Sequence, residues 1–180
     1  MTGSLDRDRL GRLLDALNDR LRRANVRASL YLVGGAAMLL AYGRTRATSD
    51  VDVRIDAATE AVTAAVADVA AEHGLEYDWL NQHAAACIPS EADRRAPTLY
   101  NTPNLVITGA SAEHLLAMKL EAGRRTDVDD IRMLLDRLGI DEPEEAARIH
   151  AHLFPASARR ERVERLLRAM LRPEPPASAR

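Results

Sequence analysis

Residues 31–55 read YLVGGAAMLLAYGRTRATSDVDVRI. An apolar run (Tyr31, Leu32, Val33) leads into the pair Gly34-Gly35 and then into a small apolar segment of helical character. A period-2 pattern follows in Arg46, Thr48, Asp50 and Asp52. Side chains alternate faces along a strand, so a strand over 47–55 would turn these four residues the same way. Two carboxylates side by side on one strand face repel each other. A solvated edge strand accounts for such a pair. A divalent cation between them accounts for it too, because hard oxygen ligands suit Mg²⁺ and the ion removes the repulsion.

The glycine pair favours the second account. A strand that turns through Gly-Gly into a helix N-terminus exposes backbone N–H groups with no side chain in the way. Such a site favours anions, phosphate above all. A phosphate cradle facing a metal-binding carboxylate pair is the equipment of phosphoryl or nucleotidyl transfer. Gly-Gly alone is common in tight turns, and Asp-x-Asp alone is common on surfaces. Their order and their strand–turn–helix–strand context carry the specificity.

Gly34-Gly35 followed by Asp50-Val51-Asp52 resembles the nucleotidyltransferase superfamily of the DNA polymerase β type. The segments LVGGAAMLLAYG, RATSDVDV, DWLN and HLLAMKLEAGRRTDVDDIRMLL are similar to a domain family of uncharacterised bacterial nucleotidyltransferases. They are also similar to the AbiEii-like toxins of toxin–antitoxin systems. The similarity runs from about residue 30 to about residue 140.

The resemblance implies a Mg²⁺-dependent enzyme (Mn²⁺ being the alternative ion) of the EC 2.7.7 type. It would move NMP from an NTP to an acceptor hydroxyl. Asp50 and Asp52 would hold the metal, and Gly34 and Gly35 would cradle the β and γ phosphates. Thr48 and Ser49 would contact phosphate or orient the metal ligands, although Ser49 serves equally well as a turn residue. Arg46 would contact phosphate or offset the charge of the two acids.

Lys119 with Asp127 and Asp130 would form a second constellation, the ammonium suiting a triphosphate and the acids a helix N-terminus. Plain N-capping by Asp127 is the alternative. Asp129 reads as surface. The implied acceptor is RNA, foremost a tRNA 3′ end, and the implied partner is an antitoxin protein. Nucleotidylation of a protein side chain (AMPylation) and a non-catalytic nucleotide- or partner-binding module are the competing readings. The superfamily often carries a third carboxylate on a later strand. Glu76 and Asp78 are the candidates here, and either serves equally well as a solvated strand end.

The 180 residues suit one domain, or a core with a helical appendage. The apolar share of 47% is ample for a core, but aromatics make up only 3%, so that core must rest on Leu, Val and Ala. No segment approaches the roughly 20 apolar residues of a membrane-spanning helix. The first residues, MTGSLDRDRLGRLL, carry acids and no apolar stretch, unlike a secretory signal. The single cysteine, Cys87, leaves no internal disulfide and agrees with a reducing cytoplasm. Net charge is −2, which neither demands nor forbids nucleic acid. Of 25 basic residues 24 are Arg, which makes Lys119 conspicuous.

Periodicity predicts an amphipathic helix over 5–25, a strand over 29–33 and a helix over 35–42. After the strand over 47–55 it predicts a helix over 57–73, capped by Asp56 and stopped by Gly74. A short strand is expected over 75–80, then a helical fragment and loop to residue 96. Strands over 98–101 and 104–108 form a hairpin. Ser111 opens a helix over 112–123, and Asp127 opens another over 128–138. Helices over 143–152 and 157–171 follow, and then a Pro-rich tail expected to be disordered. The expected class is α/β (α+β): a small mixed sheet of the nucleotidyltransferase fold with packed helices and a helical C-terminal part. The expected divisions are an N-terminal helix (1–28), the nucleotidyltransferase core (29–110), the helical part (111–172) and the tail (173–180).

Trp79 reads as core, with base stacking the other reading. The five histidines form no metal pattern, and His83 with Cys87 lacks the further ligands zinc needs. The arginines of 157–171 suit either an RNA backbone or i,i+4 pairing with Glu161 and Glu164.

Overall fold

A computed structural model describes residues 4–171. These residues form two compact units, one from 4–88 and 93–111, the other from 89–92 and 112–171.

The first unit opens with helix α1 (Arg7–Arg23). Asp6 caps it by accepting a hydrogen bond from the Arg9 N–H at 2.7 Å. Leu10, Leu13, Leu14, Leu17 and Leu21 recur at helical spacing, and all five are buried. Each contributes on the order of 1.5–3 kcal/mol by leaving water. The helix stops where Asn25 adopts a positive φ of 52°.

Strands β1 (Ala28–Leu32), β2 (Val51–Ala57), β3 (Leu80–Asn81), β4 (Thr98–Asn101) and β5 (Leu105–Gly109) form one mixed sheet in the order β3-β2-β1-β5-β4. β1 runs antiparallel to β2 and parallel to β5, β3 is parallel to β2, and β4 closes a hairpin with β5. Helix α2 (Gly34–Ala41) joins β1 to β2, and α3 (Thr59–His73) joins β2 to β3. The expected fold class is the one observed.

The sheet is two-faced. Ala28, Leu30, Leu32, Val51, Val53, Leu105 and Ile107 are buried, and with the leucines of α1 and with Val62, Val66 and Val69 of α3 they make the core. The alternate positions, among them Tyr31, Asp52, Arg54, Asn81 and Thr108, put polar groups on the opposite face. There Tyr31 donates to Asp93 at 2.7 Å and the Arg54 guanidinium lies 4.8 Å over the Tyr31 ring. Burial, the hydrogen bond to Asp93 and the Asp93 charge together raise the Tyr31 hydroxyl far above its ordinary pKa.

Three sequence expectations change here. The strand expected over 47–55 begins only at Val51, because the backbone of Thr48 pairs with Leu5 instead (N···O 2.8 and 3.0 Å) and residues 49–50 form a bend. Alternation therefore groups Asp52 with Arg54 and Asp56, and it says nothing of Arg46, Thr48 or Asp50. Asp56 does not cap α3; its carboxylate takes the Arg54 Nε–H at 2.6 Å, and α3 starts from Ala58 at φ 64°. Residues 75–79 form a turn rather than a strand, with Trp79 N–H bonded to Glu76 C=O, so Glu76 and Asp78 lie outside the sheet.

The second unit is helical: α4 (Ala112–Ala122), α5 (Val128–Leu138), α6 (Pro143–Leu153) and α7 (Arg160–Met170). Gly123 (φ 59°) and Gly139 (φ 68°) end α4 and α5 in left-handed turns. α4 packs on α5 and α6, and α6 on α7. Leu116, Leu120, Ile131, Leu134, Leu153 and Leu167 are among the buried residues. Among the described residues no helix is long and apolar enough to cross a membrane. The tail expected to be disordered lies outside the described residues, and α7 starts at Arg160 rather than 157.

That shorter start has a cause. Ser157 turns its hydroxyl to Glu121 on α4 (2.6 Å), which also meets the buried His150 (2.7 Å) and Arg159 (3.8 Å). Burial acts to raise the Glu121 carboxyl. The bonds from Ser157 and His150, with the charges of His150 and Arg159, outweigh it and hold the carboxyl below its ordinary range. A depressed folded value gives stability that is full above the unfolded value of about 4.3 and is lost as pH falls through the folded one. Glu121→Gln should therefore melt lower than wild type at pH 7, with the gap narrowing toward pH 3. Thermal denaturation at the two pH values checks this, and a gap that stays constant would contradict it.

Candidate functional site

β1 leads through Val33 into the first turn of α2. The Val33 N–H donates to the Asp52 C=O at 3.0 Å, which fixes the end of β1 beside the start of β2. Gly34 has φ +65°, a left-handed conformation that costs an L-residue roughly 1–2 kcal/mol. A Cβ at this position would stand 3.0 Å from Asp52 Oδ2. The glycine thus supplies both the turn and the room for the carboxylate. A Cβ on Gly35 would stand 2.6 Å from an Arg44 guanidinium nitrogen and 2.8 Å from Thr48 Oγ1. The glycine pair, Asp52, Thr48 and Arg44 therefore meet at the N-terminus of α2.

Asp50 belongs to the loop that carries Thr48. Its carbonyl accepts the Thr48 hydroxyl at 3.1 Å, and its carboxylate accepts the Ser49 hydroxyl at 3.2 Å. Ser49 is thus a neighbour of the Asp50 carboxylate. Asp50 and Asp52 are half-buried on either side of the fully buried Val51, and Arg46 is exposed in the same loop. The N-terminal segment holds this loop in place. Leu5 pairs with Thr48, and Arg7 donates to the carbonyls of Leu39 and Leu40 at the end of α2.

Two residues escaped the sequence reading. Arg44 lies over Gly35, whereas the period-2 pattern of the sequence includes only Arg46. Asn81 is the register partner of Asp52 across β2 and β3. It is held there as acceptor from the His83 N–H (2.8 Å) and donor to the Asp78 C=O (3.2 Å). The visible signal was the segment DWLN, read as a family signature without a role for its asparagine. Opposite Asp52 in the register of β2 and β3 thus stands an amide, and neither Glu76 nor Asp78.

The other constellation lies in the second unit. Lys119 is buried, and its ammonium donates to Asp127 at 2.7 Å and to Asp130 at 2.8 Å. Asp127 makes no side-chain cap to α5, because its carboxylate is turned to the lysine. Asp129 is exposed, as expected. Trp79 is core, its indole N–H bonded to the Val66 C=O at 3.2 Å. Cys87 is exposed.

With backbone N–H groups, a hydroxyl and a guanidinium around Gly35, and the Asp52 carboxylate against Gly34, the site combines groups that favour an anion with one that favours a cation. A model of the family described as "nucleotidyltransferase of unknown function (DUF6036)" matches residues 8–167. The chain belongs to this family of nucleotidyltransferases. Membership indicates nucleotidyl transfer as the general kind of reaction. No curated protein and no solved structure matches the chain.

Among the described residues no group of three or more His, Cys, Asp or Glu is placed to hold a metal.

The two glycines should respond differently to alanine. Gly35→Ala leaves the backbone unstrained and displaces Arg44 and Thr48, so NTP affinity should fall while the melting temperature changes little. Gly34→Ala should lose about 1–2 kcal/mol of stability as well. Calorimetric NTP binding and thermal melts separate the two. Equal NTP affinity in wild type and Gly35→Ala would show that the pocket does not hold the nucleotide.

Proposed function

We propose that the chain transfers NMP from an NTP to an acceptor hydroxyl, with its active site at the start of α2. The observation that carries this reading is the Asp52 carboxylate lying against Gly34, where an acid adjoins the anion-favouring helix start. The N–H groups that follow Gly34-Gly35, with Thr48 and Arg44, would bind the triphosphate. Asp50 and Asp52 would hold Mg²⁺, or Mn²⁺ in its place. The ion would neutralise charge on the phosphates and orient the α-phosphorus toward the acceptor oxygen. That oxygen would form the new P–O bond as the bond to the β-phosphate breaks and pyrophosphate leaves.

Asn81 has no basic site to take the acceptor proton. The proton would pass to solvent or to the departing pyrophosphate. Ser49, bonded to Asp50, would orient that carboxylate, and Arg46 would add positive charge to the entry loop. The similarity to AbiEii-like toxins also assigns Lys119, Asp127 and Asp130 to catalysis. Their mutual ion pairs support a different role, which we assign them: Lys119 holds α4 to α5 through two carboxylates that would be costly to bury alone.

The proposed acceptor is RNA, foremost a tRNA 3′ end, in a toxin held in check by an antitoxin. That similarity is its support. Protein nucleotidylation is the alternative within the same chemistry.

Incubation with each α-labelled NTP, Mg²⁺, bulk tRNA and lysate protein tests the reading. Label should enter tRNA. Asp52→Ala should lower the rate by about a thousandfold or more, since the ion it holds supplies several kcal/mol of transition-state stabilisation at 1.36 kcal/mol per decade. Label entering protein would move the function to the alternative. No label in either, with no NTP binding, would leave a non-catalytic module.

A further inference from the structure

The second unit carries an arginine surface for which the site at α2 has no use. Segments 121–125 (EAGRR) and 159–162 (RRER) contain five arginines and two glutamates, so the surface they form is strongly positive. They meet at the end of α4. The Arg162 guanidinium lies against Gly123, where a Cβ would stand 2.6 Å from its central carbon, and it donates to the Gly123 C=O. Arg159 donates to the carbonyls of Glu121 and Ala122. Arg124 and Arg125 continue from Gly123, and both are exposed.

The carboxylates nearby are already engaged. Glu121 is held by His150, Ser157 and Arg159, and Glu161 pairs with Arg165 further along α7. Among the described residues Arg124, Arg125, Arg160 and Arg162 have no carboxylate partner, whereas Arg165 and Arg168 on the same helix pair with Glu161, Glu164 and Glu144. Arg159 and Arg162 reach the last carbonyls of α4, where the helix dipole favours cations. Arg124, Arg125 and Arg160 stay exposed without a carboxylate, and an anionic partner would relieve their mutual repulsion.

The form of the surface narrows the partner. Guanidiniums present flat forks of five donors, and Arg159 and Arg162 spend only one or two of theirs on carbonyls. Those bonds hold the forks in place, so less side-chain freedom is lost when a phosphate takes the rest. Several such groups on one surface match a chain of repeated phosphates better than one small anion. We propose that the surface formed by residues 121–125 and 159–162 binds the phosphate backbone of the RNA acceptor. The choice of RNA rests on the acceptor proposed above.

The test is binding of end-labelled bulk tRNA to the full-length protein, without NTP, over a range of salt concentrations. Wild type should bind with a strong salt dependence. Arg124→Gln/Arg125→Gln removes no hydrogen bond seen in the structure and should fold as wild type does. It should weaken binding and reduce the slope of log K against log salt by about 0.7–0.9 for each phosphate that is no longer neutralised. Adding Arg162→Gln should reduce it again, and NTP binding should stay unchanged in every variant. Wild type that does not bind tRNA, or variants that match its affinity and salt slope, would overturn the proposal. The outcomes separate the two proposals. Asp52→Ala that binds tRNA normally but transfers no label bears on the α2 site alone, whereas arginine variants that bind as wild type refute this surface while transfer continues.

Discussion

A side chain between the end of β1 and the carboxylate of Asp52 would crowd that carboxylate. The proposed site depends on this close approach. Gly34 permits it by turning left-handed at φ +65°, which brings the N-terminus of α2 alongside β2. The contact is made twice, through the backbone bond from Val33 to Asp52 and through the missing Cβ. An acid pressed against a helix start is well placed as a carboxylate, because the dipole there favours negative charge. The same dipole favours phosphate, so acid and phosphate compete for one field unless a cation joins them. That competition is the physical reason a divalent ion belongs in the proposed chemistry.

The surroundings keep this arrangement from relaxing. Leu5 pairs with Thr48 and Arg7 binds the last carbonyls of α2, so the segment before α1 ties down both the loop and the helix that flank the site. On the polar face of the sheet, Arg54 is held between the Tyr31 ring and Asp56, and Tyr31 is held by Asp93. The apolar face is filled by Leu and Val from α1, α3 and the strands, with Trp79 the one indole among them. A chain poor in aromatics thus builds its core from many small contributions and spends its polar residues on the opposite face.

Much of this was legible in the sequence. The leucine spacing of α1, the glycine stop at 74, the hairpin of β4 and β5 and the glycine–acid order each follow from local rules, and each stands in the structure. What failed depended on distant partners. Residues 46–50 alternate like a strand, but Leu5, far off in the chain, takes Thr48 and leaves Asp50 in a bend. Asp56 has the chemistry of a cap, but Arg54 claims it. Asp127 reads as a cap from its neighbours alone, while its partner Lys119 lies on another helix. Arg44 and Asn81 gain their places from a helix–loop contact and a strand register that no local pattern encodes.

The most direct test is paramagnetic. Mn²⁺ with an unreactive NTP analogue should broaden the amide signals of Gly34, Gly35, Asp50 and Asp52 in wild-type protein, and Asp52→Asn should abolish that broadening at the same concentrations. Broadening centred on other residues, or unchanged broadening in Asp52→Asn, would contradict a nucleotide and metal held where α2 begins.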